Sequence, residues 1–384
     1  MSNQNFKFIE EHAIRSHLEK KGLVVSDEML SEISEGLDEV LKLKIKQERN
    51  KNRVAKNDEK KENVLAKDFL TKEQITLLPQ WVQDDLDEAI IIGSSKQVIK
   101  TSSGKKYHLR NPLNDLSGAE WTFYLNSVIN TRYPTSGPEG FAHQIRKIHP
   151  TPKPPQLMKE IIEFFTKEND LVFDYFMGVG GTLLGASLAN RRAIGVDLSD
   201  EYIDAYKEAS NFLGLKKQKT IKANSIKLLT DKTRMKKILK GEEISLIAID
   251  PPYGDMMSKR KTGEAIKKGT DSSPTPFTDS DVDLGNLPIE HFYDVFKNSV
   301  REALVYLKHK GHVVVFVKDL QPEKEKTNLL HARIIEDLNE IDGLQYLGTK
   351  IWADHSVNLY PYGYPYAYVS NQIHQYIMTF RKES

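Results

Sequence analysis

Between residues 158 and 317, short apolar runs alternate with helical stretches, and this alternation limits the fold more than any other feature of the chain. Residues 158–165 have the spacing of an amphipathic helix, and Leu171-Val172-Phe173 is a short apolar strand. An apolar helix follows at 182–188, then a second strand, Ala193-Ile194-Gly195-Val196, which ends in Asp197. Residues 201–213 read as another helix, Ile221 begins a third strand, and Ile244-Ser245-Leu246-Ile247-Ala248-Ile249 is a fourth. A helix at 292–307 and a strand at 312–317 complete the series. Strands in alternation with helices predict an α/β fold with a doubly wound, mostly parallel sheet. Residues 346–380 read as further strands around an aromatic loop.

The first 110 residues have another character and are expected to form a separate, helical and basic N-terminal region, with the second domain at 111–384. Phe8, Ile9, Leu30, Ile33, Leu37, Val40 and Leu41 recur at helical spacing, and residues 42–67 are rich in lysine. That stretch is either a solvated surface or a contact for phosphates. Residues 71–92 suggest one or two short helices with Trp81 as a packing anchor, and 93–106 a loop or hairpin. A length of 384 residues suits two domains, or one with an appendage. The chain has no cysteine, which excludes disulfides, thiolate nucleophiles and cysteine-ligated zinc, and no metal is expected. Neither a signal peptide nor a membrane-spanning run is visible, so a cytoplasmic location is expected.

Four motifs carry the chemistry. Asp250-Pro251-Pro252-Tyr253 stands at the carboxyl end of the fourth strand, where ligands bind in open α/β sheets. It offers a carboxylate, a rigid turn with a carbonyl, and an aromatic face, which together suit an amino group on a flat base. The turn after the first strand, from Asp174 through Phe176, Gly178 and Gly180 to Thr182, lets the backbone approach a ligand at a helix N-terminus. Its spacing is not the dinucleotide pattern and no phosphate-loop lysine follows, so an amino-acid carboxylate suits it as well as a phosphate. Asp197, about 20 residues after the glycine turn, stands where an acid accepts from ribose hydroxyls, or where it caps the helix beginning at Ser199 and Asp200. Upstream, His149-Pro150-Thr151-Pro152-Lys153-Pro154-Pro155 fixes an extended entry into a helix and by itself reads as a rigid linker.

In this order the four elements resemble the S-adenosylmethionine-dependent DNA amino-methyltransferases, which modify adenine N6 or cytosine N4. The resemblance covers about residues 111–384, including Asn114-Asp115-Leu116-Ser117-Gly118-Ala119-Glu120-Trp121 ahead of the proline motif. It implies a Rossmann-like methyltransferase domain, S-adenosyl-L-methionine as cofactor, and these roles. Thr151 and Lys153 border the cofactor's methionine end, Asp174, Phe176, Gly178 and Gly180 form its loop, and Asp197 holds the ribose. Asn224 flanks the cofactor's adenine where an acid is common. Asp250 and the Pro251 carbonyl accept from the target amino group, Pro252 stiffens the turn, and Tyr253 stacks on a flipped base. The implied partners are DNA, a second copy of the chain, and a cognate restriction endonuclease or other defence-system subunit.

Asp at the first position of the tetrapeptide is commoner in adenine enzymes of the family, which favours adenine N6 over cytosine N4. Asp-Pro-Pro-Tyr-Gly also resembles tRNA guanine-N2 methyltransferases, and a DNA-binding partner subunit without catalysis is the non-enzymatic alternative. Only about 68 residues separate Thr182 from Asp250, too few for a large recognition domain. DNA contacts are therefore expected from the N-terminal region and from the loop 255–288, through Lys259, Arg260, Lys261, Lys267 and Lys268. The tyrosines at 360, 362, 364, 366 and 368 are either an edge of the core or a wall of the base pocket.

Overall fold

The computed structural model describes residues 64–254, 283–319, 329–356 and 372–383, with residues 15, 16 and 26. The lysine-rich stretch before residue 64, the five basic residues at 259–268 and the tyrosines at 360–368 lie outside these.

Residues 64–108 form a small mixed unit. Its four-stranded antiparallel sheet has the order β1 (Val64–Leu65), β2 (Ile90–Ile92), β3 (Val98–Lys100), β4 (Lys106–His108). Helical turns at Ala66–Phe69, Lys72–Thr76 and Gln80–Gln83 cover it. The short helices expected within 71–92 and the hairpin allowed at 93–106 are present, while the helical character expected of the whole region gives way to a small sheet over its described part. Ile90-Ile91-Ile92 is three β-branched residues in a row, which crowd a helical turn and favour a pleated strand. Trp81 is the anchor: its ring meets Tyr107 edge-on at 6.0 Å, and its Nε1 donates to the Asp115 carbonyl at 2.8 Å.

The main domain is an eight-stranded sheet. Its strands are β5 (Val128–Thr131), β6 (Leu171–Asp174), β7 (Arg192–Asp197), β8 (Lys219–Lys222), β9 (Ile244–Ile249), β10 (Leu307–Val317), β11 (Leu344–Asp354) and β12 (His374–Lys382). Their spatial order is β5-β11-β12-β10-β9-β6-β7-β8. Strands β6 to β10 pair in parallel, whereas β12 runs antiparallel between β10 and β11. β6 and β9 are buried at every position, as parallel strands covered on both faces must be.

The covering helices are α1 (Gly118–Tyr124), α2 (Pro155–Phe165), α3 (Gly181–Leu188), α4 (Asp200–Phe212), α5 (Ser225–Thr230), α6 (Lys232–Leu239), α7 (Ile289–Leu304) and α8 (Leu330–Asn339). One apolar cluster packs α2, α3 and α4 on one face through Leu157, Ile161, Leu184 and Tyr206. The other packs α5 to α8 on the opposite face through Leu228, Met235, Phe292, Phe296 and Ile334. Each fully buried aliphatic or phenyl side chain contributes about 1.5–3 kcal/mol, so these two layers set the strand order. From β6 the chain winds outward through β7 to β8, then crosses to β9 and β10 on the other side. The reversal lies between β6 and β9, and the ends of β6, β7 and β9 carry Asp174, Asp197 and Asp250.

Candidate active site

A cleft opens at this reversal, with a smaller adjoining pocket lined by the glycine turn. Of the residues predicted for the site, the structure brings Thr151, Lys153, Phe176, Gly178, Asp197, Asn224, Asp250, Pro251, Pro252 and Tyr253 to the larger cleft. Asp174 lines the smaller pocket. Gly180 lines neither. It has φ +74°, and a Cβ there would stand 2.3 Å from the Tyr206 ring, so this glycine serves helix packing. Gly178, with φ +48°, does line the cleft and lies against the His149 ring.

Backbone N–H groups fix the two acids of the glycine turn. Asp174 accepts from Phe176 N at 3.0 Å and from the Thr182 hydroxyl at 2.5 Å, and burial pushes its carboxyl up to about 7. Asp197 accepts from Gly178 N at 2.8 Å and from Ser199 N at 2.9 Å. Burial raises its carboxyl to about 6, against the pull of those N–H donors. The cap of α4 is Ser199, whose hydroxyl accepts from Tyr202 N at 3.3 Å. Of the two readings of Asp197, helix capping therefore falls to its neighbour. Asp197 joins the turn to β7 and lines the cleft with acceptor capacity left, since each carboxylate oxygen takes two hydrogen bonds. Asn224 also lines the cleft, and its Oδ1 caps α5 by accepting from Lys227 N at 2.9 Å.

Side chains hold the acid of the tetrapeptide. Lys153 Nζ lies 2.8 Å from Asp250 Oδ2 and also donates to Gln375 Oε1. Read from sequence as bordering the cofactor's methionine, Lys153 is here the counter-ion of the tetrapeptide's carboxylate. It sits over the Phe316 and Trp352 rings, and the buried Arg146 donates to its carbonyl at 2.9 Å. The single Tyr253 O–H donates to Asp250 Oδ1 at 2.8 Å, with the Phe316 carbonyl 3.2 Å away as its alternative acceptor. Burial, with Asp250 beside it, raises that phenol well above its ordinary range, so it remains a donor. The ring expected to stack on a base thus lines the cleft with its hydroxyl turned inward.

Ten cleft residues lay outside the sequence-derived set of site residues, among them His149, Asp283, Tyr202, Lys318 and Gln375. His149 packs edge-on to Tyr202 at 5.0 Å, and its Nδ1 accepts from Thr151 N at 3.2 Å; burial pushes it down to about 4, so the ring is neutral. It stood in the proline motif without a role. Asp283, buried, accepts from Gly285 N at 2.8 Å and faces the same end of the cleft as Asp197. Tyr202, Lys318 and Gln375 arrive from α4, the end of β10 and β12. Burial and then the Lys153 charge lower Lys318. Of these five, only His149 had a local signal, the proline motif.

The sheet order, the glycine turn and the acid at the end of β7 define a Rossmann-like methyltransferase fold. A family model described as DNA methylase matches residues 11–208, more than half of the chain, and the chain belongs to that family. The match takes in the glycine turn and Asp197 and stops short of Asp250. A tRNA (guanine(10)-N2)-dimethyltransferase of Methanocaldococcus jannaschii is 28% identical over 228 residues, 55% of this chain and 62% of the relative. The type II methyltransferase M1.MboII of Moraxella bovis is 34% identical over 111 residues, 29% of this chain and 38% of the relative. The chain thus spans less than two thirds of either relative's length. Among solved structures, TrmN from Thermus thermophilus aligns over 59% of this chain and 48% of its own, at 16% identity and a TM-score of 0.36. Among the described residues no helix is long and apolar enough to cross a membrane.

Proposed function

We propose that the chain transfers a methyl group from S-adenosylmethionine to the N6 amino group of an adenine flipped out of DNA. The observation that carries this is Asp250-Pro251-Pro252-Tyr253 in the same cleft as the glycine turn and Asp197. The donor set fits the cofactor: the Asp197 carboxylate suits a ribose diol, Leu198 and Ile226 offer apolar walls for a flat base, and Gly178 gives close backbone approach. Bound there, S-adenosylmethionine supplies an activated methyl group on a positively charged sulfur.

The chain's own residues supply positioning and charge. An exocyclic amine is a weak nucleophile because its lone pair is delocalised into the ring. Two acceptors on its hydrogens, Asp250 and the Pro251 carbonyl, draw it toward a localised lone pair. Orientation of the reactants is worth about 7–11 kcal/mol, and the Asp250 carboxylate stabilises the positive charge that develops on nitrogen. Each Asp250 oxygen has one partner, Lys153 or Tyr253, and keeps a second acceptor position for the target amino group. A base in a duplex cannot reach the cleft without leaving the stack.

The second reading is methyl transfer to a guanine N2 in tRNA, favoured by the tRNA relative that aligns over 55% of this chain. Incubation with labelled S-adenosylmethionine and either genomic DNA or total tRNA, followed by mass spectrometry of the nucleosides, separates the two. N6-methyladenine in DNA is expected. N4-methylcytosine would change the base assigned, N2-methylguanine in tRNA would replace the proposal with the second reading, and no transfer would favour a non-catalytic DNA-binding subunit.

A further inference from the structure

Positive charge is concentrated on one edge of the sheet. Residues 216–240 hold ten basic side chains against a single acid, Asp231, a net of +9 in a chain whose total is only +1. All ten are exposed, and among the described residues only Lys222 is in an ion pair, with Asp200. The segment is the edge strand β8 with α5 and α6. Met235 and Leu239 turn the apolar side of α6 inward, and Lys219 Nζ donates to the Ile238 carbonyl at 3.0 Å. Lys232, Lys236 and Lys240 then follow one another at i, i+4 along the exposed side.

Helix chemistry accounts for part of this. Lys236 and Lys237 in the last turn of α6 complement the helix dipole. Lys232 at its first position does not, because cations are disfavoured at helix N-termini. Like charges at i, i+4 also repel. A polyanion relieves both. The strip begins at the cleft: Asn224, Ser225 and Ile226 line it, and Lys227 is the next residue. Duplex DNA carries one negative charge per about 1.7 Å of axis, a density that suits a continuous basic strip.

We propose that this edge, β8 with α5 and α6, binds the phosphate backbone of the duplex whose flipped base enters the cleft. The proposal rests on the reading of DNA as substrate. It also places a phosphate contact on β8, α5 and α6, apart from the basic residues expected at 259–268.

The test is fluorescence anisotropy of the full chain with a labelled 30-base-pair duplex, and in parallel with tRNA, between about 50 and 200 mM salt. The variant combines Lys232→Glu, Lys236→Glu and Lys237→Glu. A control makes the same charge change on α7, β10 and α8, with Arg301→Glu, Lys310→Glu and Arg333→Glu. Loss of three phosphate contacts lowers the slope of log affinity against log salt by roughly 2–3 and weakens duplex binding at least about tenfold. The control should keep most of the wild-type affinity. Should the reversal variant melt early, the matching Lys→Gln triple replaces it. An unchanged slope, an equal loss in the control, or wild-type binding to tRNA without binding to duplex would overturn the proposal. Methyl transfer measured on the same preparations keeps the two readings apart. Wild-type modification of DNA with an unchanged slope in the variant defeats the edge alone. Duplex binding through the edge without modification of DNA defeats the enzymatic reading alone.

Discussion

In the half of the cleft next to the glycine turn, Asp197 is held by the backbone N–H groups of Gly178 and Ser199, and Asp174 by the Phe176 N–H with the nearby Thr182 hydroxyl. In the half next to β9 and β10, Asp250 is held by the side chains of Lys153 and Tyr253. The two arrangements suit different tasks. A carboxylate tied to its own loop is set in place before any ligand arrives, and it keeps the turn in the left-handed backbone at Gly178. A carboxylate held by a lysine and a phenol can admit an incoming amino group without disturbing the sheet. One half is set mainly by the backbone of its own turn, and the other by side chains, Lys153 from a distant segment among them, that can shift when a ligand arrives.

Asp250→Asn breaks the comparison most severely. The amide still accepts a hydrogen bond but lacks the charge that stabilises the developing cation, so methyl transfer should fall by about 10²–10³. Affinity for S-adenosylhomocysteine, measured by calorimetry, should change little, because Asp197 and the glycine turn are untouched. A comparable loss of both would mean that the two halves are one site.

Lys153→Met sharpens the comparison at smaller scale. If Lys153 acts through Asp250, turnover should fall by about tenfold while cofactor affinity holds, and Lys153→Arg should restore most of the turnover. If it acts on the cofactor's methionine, as the family resemblance implies, affinity should fall instead. The pair is mostly buried, at 11% and 23% side-chain exposure, so a melting curve of each variant is needed to separate lost function from an unpaired carboxylate.

The half held by backbone is also the half that could be read from sequence. Asp174, Gly178 and Thr182 lie within nine residues, and Asp197 follows a strand whose apolar run marks its end, so local spacing was enough. Gly180 shows the limit of that reading. Its place in the glycine-rich turn was visible, but its reason is the Tyr206 ring, which only the packing of α4 on α3 brings within 2.3 Å of its would-be Cβ. The half held by side chains depends on contacts between distant segments. Lys153 meets Asp250 across 97 positions and Gln375 across 222, and no local pattern records either. Likewise the parallel order of β6 to β10 followed from alternation, whereas the insertion of β12 between β10 and β11 is a long-range pairing. The basic edge was open to simple counting at residues 216–240, but only the sheet order shows that these residues form a border beside the cleft.

The smallest effect concerns the titration of the half held by backbone. Burial raises Asp197 to about 6, so it is protonated below that pH in the free protein. For stability the sign follows directly. A carboxyl raised above its unfolded value favours the fold below about pH 4, and that contribution is lost as pH rises through about 6. For ligand binding the sign is opposite, because ribose hydroxyls donate to the ionised carboxylate. If only the ionised form binds, about nine tenths of the protein is competent at pH 7 and about a quarter at pH 5.5, so affinity for S-adenosylhomocysteine should drop about fourfold. His149, near 4, stays neutral across this window. Asp174, raised to about 7, titrates close by, but its oxygens already accept from Phe176 N and the Thr182 hydroxyl in the smaller pocket. Calorimetry on Asp197→Asn separates the two acids. A flat profile at weaker affinity assigns the pH dependence to the end of β7, and a persisting fourfold drop moves it to Asp174.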